Sequence, residues 1–282
     1  MSSEEAIVRR IAVALAGAGL VALGGLPGPI LRKTLVAEDS DDLALHIYLP
    51  YVHAPIDDGM ELVYVPAGDF LMGSTDDDPD AAHGEVPQHP VYLDGYWIDK
   101  TEVTNAMFAR FVDATGYDAR IWRNAASGKS DHPVVLVNWH DASAYCEWAG
   151  RKLPTEAQWE KAARGTDGRR YPWGNGAPAA SRSNFDDNVG GTTPVGSYPA
   201  GASPYGAMDM AGNVLEWVAD WYNGEYYTVS PRENPTGPAT GQDRLLRGGS
   251  CYNDAWGLRS SCRYIDVPVN LGSYVGFRCA RP

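Results

Sequence analysis

A chain of 282 residues can hold one large domain or two small ones. Its 36 acidic side chains against 23 basic ones leave a formal net charge of −13. With no Lys/Arg cluster anywhere, such a chain repels phosphate backbones, which excludes nucleic acid as a partner and suits cations or basic proteins. Nine Trp and sixteen Tyr stand against five Phe, and 31 Gly punctuate every stretch. That mixture predicts an irregular α+β fold of short helices and strands, held by aromatic packing and by loops tied down one at a time.

Residues 1–33 form a separate object. Arg9-Arg10 precede an uncharged stretch from Ile11 to Leu31, broken by Gly24, Gly25, Pro27 and Pro29. Its strongly apolar part, Ile11 to Leu26, is long for a signal-peptide core and slightly short for a membrane span. An uncleaved anchor, a cleaved signal and a buried helix all stay open. Arg9-Arg10 on one side and Arg32-Lys33 on the other leave orientation unset. Either of the first two readings places the rest of the chain outside the cytoplasm, on the periplasmic or extracellular side. Residues 34–58, with the run Glu38-Asp39-Ser40-Asp41-Asp42 and a short apolar piece from Leu43 to Val52, read as an acidic tether.

The compact part spans 59–282. Met60 to Pro66 and Ala67 to Ser74 read as strands, and Val91 to Asp99 as a strand pair turning at Asp94-Gly95. Thr104 can cap a helix that buries Met107, Phe108, Phe111 and Val112 and ends at Gly116. Asp141 can cap a second, with Ala142, Tyr145, Cys146 and Ala149 inward. Thr155 and Gln158 form a capping box for a third, which stops at Gly165. Beyond it the chain reads as loop and short strand, ending in Tyr274 to Ala280.

Ten runs, in order, carry a resemblance: Phe70-Leu71-Met72-Gly73, Glu102-Val103-Thr104, His132-Pro133-Val134, Trp139 with Asp141-Ala142, Lys152 to Ala157 with Trp159-Glu160, Tyr171-Pro172-Trp173-Gly174-Asn175, Pro194-Val195-Gly196, Asp209 to Val214 with Glu216-Trp217, Arg247-Gly248-Gly249-Ser250, and Gly276-Phe277-Arg278. Together they resemble the sulfatase-modifying-factor family, of which formylglycine-generating enzymes are members, over about four fifths of the chain. The resemblance implies a variant of the C-type-lectin fold. It does not imply one chemistry, so function rests on the site.

In formylglycine-generating members two cysteines follow the Arg-Gly-Gly-Ser run and hold copper(I) as a soft thiolate pair. The matching positions here are Asn253 and Leu258, with Asp254, Leu215 and Tyr274 at neighbouring pocket positions. Copper is therefore not expected. Cys251 and Cys262 are displaced from that pattern and stay open as a relocated redox pair, a disulfide across adjacent strands, or two unrelated core thiols. Cys146 and Cys279 match a structural disulfide of secreted family members. Asp209, Gly212, Val214 and Glu216 match one family calcium site, and Asn184, Phe185, Asp187 and Val189 a second; calcium there would be structural. Asx-turns and backbone bonds are the competing explanation of those polar residues. The six histidines form no catalytic set. The expectation is a non-catalytic, envelope-exposed binding or accessory module with a protein partner, possibly within a membrane-associated complex. The competing expectation is an oxidoreductase acting on thiols through Cys251 and Cys262.

Overall fold

The computed structural model describes residues 57–119 and 121–282. The expectations for residues 1–33 and for most of the tether lie outside these. Strand β1 (Leu62–Val65) pairs antiparallel with β4 (Tyr96–Asp99), which also pairs with β9 (Ala280–Arg281). A two-stranded sheet joins β2 (Gly68–Met72) to β3 (His89–Leu93). The third sheet runs β7 (Tyr264–Asp266), β6 (Arg244–Arg247), β5 (Leu215–Trp221), β8 (Val275–Phe277), with β5 and β8 parallel. Short helices pack among these sheets, so the α+β expectation holds.

The expected pairing within Val91 to Asp99 does not form. The two strands are present, but β3 and β4 belong to different sheets. A two-residue hairpin of the expected kind needs left-handed φ at its central residues, and neither Asp94 nor Gly95 has it. Asp94 is instead held by Asn234, whose Oδ1 accepts its N–H at 2.9 Å and whose Nδ2 donates back at 3.0 Å. Val91 and Leu93 face the same core as Phe70 and Met72, and so do Tyr96 and Ile98 of β4. Burial on separate sheets outweighs the local turn.

Helix α1 (Asn105–Thr115) starts where expected: Thr104 Oγ1 accepts the Met107 N–H at 3.2 Å, and Gly116 (φ 70°) ends it with its N–H on Val112 O. A one-turn helix α2 (Arg123–Ala126) was not foreseen. Helix α3 (Trp139–Trp148) corrects the expected cap. Asn138 is the N-cap, accepting from His140 and Asp141 N–H at 2.9 and 3.0 Å, and Asp141 bonds back to the Asn138 N–H at 2.9 Å. Asp141 is thus the third-residue half of a capping box rather than the cap. Helix α4 (Glu156–Arg164) carries the expected Thr155/Gln158 box.

Phe108, Phe111, Tyr145 and Phe277 pack edge and face in one core, and Trp159 anchors a second. A disulfide joins Cys146 on α3 to Cys279 between β8 and β9, as the resemblance implied. Beside it lies a buried ionic group. Asp58 accepts from Tyr145 Oη at 2.6 Å and pairs with Arg151, whose Nε lies 3.3 Å from Asp99 Oδ1. Burial alone would raise the Asp58 carboxyl; the Arg151 and Tyr145 bonds outweigh it and hold Asp58 below the usual range. Asp58, expected as the end of the tether, is therefore fixed in the core, and the domain begins before residue 59.

Candidate functional site

The Arg-Gly-Gly-Ser run ends β6 and leads into a tight loop, Ser250 to Leu258. Asn253 Oδ1 accepts from both the Ser250 N–H and the Ser250 hydroxyl at 2.8 Å. Asp254 caps the single 3-10 turn Ala255–Leu258, accepting from Trp256 and Gly257 N–H. That turn directs Leu258 inward, where it is fully buried against Tyr171 and Ala211, with Trp173 and Phe185 alongside. Leu215 lies in the main core. Tyr274 is exposed and meets Tyr252 ring-edge to ring-face at 6.0 Å. The donors at the resemblance's copper positions are thus a tied-up amide oxygen and an alkyl group, which do not fit a soft cation.

Cys251 and Cys262 form no disulfide, and both thiols are buried. Burial pushes each up to about 11. The Cys251 N–H bonds to Asn213 O, and the Cys262 N–H to Arg259 O. Buried thiols that stay protonated at neutral pH are poor nucleophiles and poor metal ligands.

Behind the loop sits a buried carboxylate cluster. Asp209 (φ 57°) and Asn213 (φ 63°) take left-handed backbone that Asp and Asn tolerate. The turn they make aims Asp209 Oδ2 at the Gly196 N–H, 2.6 Å away, and Asn213 Nδ2 at Glu102 Oε1, 3.0 Å away. Arg278 grips Glu216 with Nε and Nη2, both at 2.7 Å, while Trp159 Nε1 donates to the same carboxylate at 2.7 Å. One guanidinium therefore pairs with Glu216 and also feels the charges of Glu102 and Asp209. Burial lifts Glu102 well above the ordinary range, helped by the nearby Asp209 charge; burial also raises Asp209. Glu102 Oε2 and Asn184 Oδ1 are buried without a hydrogen-bond partner.

Glu102 and Asp209 share a proton across a side-chain hydrogen bond, and a hard cation such as calcium is the group that could replace that proton beside the unpartnered Asn184 oxygen. Among the described residues no three His, Cys, Asp or Glu side chains converge as a metal cluster. A cation there would be held by the carboxyl groups of Glu102 and Asp209, which lie against each other. Glu216, already bonded by Arg278 and Trp159, has the least oxygen left to give. Asn184 O accepts the Asn213 N–H at 2.9 Å, so Asn184 of the second expected set lies against the turn that carries the first. In the second set the Phe185 carbonyl closes a turn on the Asn188 N–H, while Asp187 and Val189 are exposed. Sequence reasoning quoted Glu102 and Arg278 within motifs but gave neither a role. An acidic residue fully buried 107 positions away from Asp209 leaves no local signal.

The histidines are scattered: His132 Nδ1 meets Thr192 Oγ1 at 3.0 Å, and the His89 ring packs tilted against Tyr227.

The profile of the sulfatase-modifying factor enzyme 1-like domain matches residues 52–282. The chain belongs to that family. It is 38% identical to the formylglycine-generating enzyme of Streptomyces coelicolor, over 77% of this chain and 88% of that protein. It is 39% identical to serine/threonine-protein kinase pkn1 of Chlamydia caviae over 78% of this chain, but spans only 38% of that protein. Among solved structures it resembles PvdO from Pseudomonas aeruginosa, with a TM-score of 0.71 and 27% identity over 80% of this chain and 96% of PvdO. A sulfatase-modifying-factor fold is thus shared by proteins whose names denote different activities, which returns the question of function to the residues in the loop.

Proposed function

We propose that this sulfatase-modifying-factor domain is a binding or accessory module for a protein partner, held on the outer side of a membrane, and that it does not oxidise cysteine. The observation that carries this reading is the Ser250 to Leu258 loop, where Asn253 is bonded into its own turn and Leu258 is packed into the core. Rebuilding two converging thiolates there would mean dismantling a satisfied turn and a hydrophobic cluster. The buried thiols of Cys251 and Cys262, pushed up to about 11, support the same reading. Similarity to one portion of the longer pkn1 chain supports use as a module within larger assemblies. The Cys146–Cys279 disulfide supports an oxidising compartment. Residues 1–33 supply the anchor or export signal in this reading, and calcium at the Glu102–Asp209 cluster has a structural role.

The test is to incubate purified protein with copper(I), oxygen and a sulfatase-motif peptide carrying its cysteine. No aldehyde product is expected. Aldehyde that disappears in Cys251→Ser or Cys262→Ser would reverse the proposal in favour of a thiol oxidoreductase.

A further inference from the structure

The loops that close over the buried cluster present an unusual surface. Tyr252 is 52% exposed, Tyr274 42% and Trp256 39%, in a chain whose Trp159 and Trp217 are wholly buried. Tyr252 and Tyr274 brace each other edge to face. The Trp256 indole N–H is fixed to Asp80 O at 2.8 Å, so its ring is held at the surface. Asp186 and Asp187 are pinned beside the same loop by backbone bonds to Asn253 O at 2.9 Å and Cys251 O at 2.7 Å. Asp254 stands between Tyr252 and Trp256 in sequence. Among the described residues none of these three carboxylates is in an ion pair, whereas Asp78 and Asp80 nearby share Arg170.

We infer that Tyr252, Tyr274 and Trp256, with Asp186, Asp187 and Asp254 beside them, dock a Lys- or Arg-bearing segment of a partner protein; this rests on the binding-module reading. Charge complementarity selects the occupant. A cationic side chain gains from a ring face and from unpaired carboxylates together, and an acidic or neutral segment gains only stacking. The guanidinium of Arg259 already lies 4.7 Å above the Trp256 ring, an internal instance of the same contact. Aromatic side chains held in place lose little freedom on binding, as recognition surfaces require. Lys129, exposed and felt by the Cys251 thiol, opposes rather than abolishes the local negative charge.

The experiment uses fluorescence anisotropy with the full chain and three labelled Gly-Ser peptides bearing four Lys, four Arg or four Glu. The Lys and Arg peptides are expected to bind and the Glu peptide not. Tyr252→Ala/Tyr274→Ala should weaken binding at least tenfold. Asp186→Asn/Asp187→Asn should weaken it several-fold and flatten its salt dependence. Glu147→Gln/Glu233→Gln, which removes the same charge from other elements, should leave it within twofold. Binding unchanged in the Tyr pair, an equal loss in the Glu147/Glu233 pair, or no binding of either cationic peptide each overturns the inference. Sedimentation of the chain alone identifies the remaining occupant: self-association lost in the Tyr pair would replace the partner with a second copy. The aldehyde assay on the same preparation separates the two claims. No aldehyde with no peptide binding sinks only this inference, whereas aldehyde formation sinks the binding-module reading itself.

Discussion

Glu102 shows how a single buried side chain sets the chemistry of the interior. It shares one guanidinium, Arg278, with Asp209 and Glu216, and burial drives it toward the protonated state. A buried carboxylate with an unpartnered oxygen costs on the order of 1–3 kcal/mol unless a proton or cation satisfies it. Calcium bound only by the folded state would add about 2.7 kcal/mol at a hundred times its dissociation constant. Millimolar calcium is therefore expected to raise the melting temperature, a chelator to reverse the rise, and Glu102→Gln to remove the response. A calcium-dependent shift that survives both Glu102→Gln and Asp209→Asn would place the ion elsewhere, and a melting curve indifferent to calcium would reject it.

At the scale of elements, helix α3 illustrates how one turn of chain decides a boundary. Asn138 and Asp141 satisfy each other's backbone N–H groups, so the helix starts at Trp139 and keeps Tyr145 and Cys146 on its inner face. Asn138→Ala should cost about 1 kcal/mol, the usual worth of a helix cap. Chemical denaturation reads it directly. If Asn138→Ala were neutral while Asp141→Ala were destabilising, the boundary would move to Asp141. The divergence of β3 and β4 belongs to the same scale. Gly95 sits under Tyr64, where an added Cβ would meet the phenol oxygen at 2.3 Å. That close approach serves the β1–β4 sheet and not a hairpin.

Across the whole molecule, the Cys146–Cys279 bridge ties a helix at the middle of the chain to the last strands, 133 residues apart in sequence. The Cys279 N–H donates to Asp99 Oδ2 at 2.8 Å, and Asp99 leads through Arg151 to Asp58. The two chain ends of the domain are thus held at one place by covalent and ionic links together. Cross-linking a loop of this length restricts the unfolded chain, and its removal should cost roughly 2–5 kcal/mol. Cys146→Ser/Cys279→Ser compared with the parent under non-reducing conditions measures this. Equal denaturation midpoints would mean that the bridge contributes nothing beyond the packing around it.

Sequence alone determined the family, the α+β class, the caps at Thr104 and Thr155, and the absence of thiol donors at Asn253 and Leu258. Each of these rests on residue identity or on spacing within a few positions, which local backbone physics translates directly. Tertiary structure decided the rest. Whether Cys251 and Cys262 could meet, which oxygens of Glu102 and Asn184 lack partners, and where β3 and β4 find their neighbours depend on groups brought together from distant parts of the chain. The same holds for Tyr252 and Tyr274, 22 residues apart in sequence, whose rings become neighbours only when the β6 loop and the β8 strand close on one another. Long-range packing carries no periodicity in the sequence, because its partners are selected by burial and hydrogen bonding after the local elements have formed.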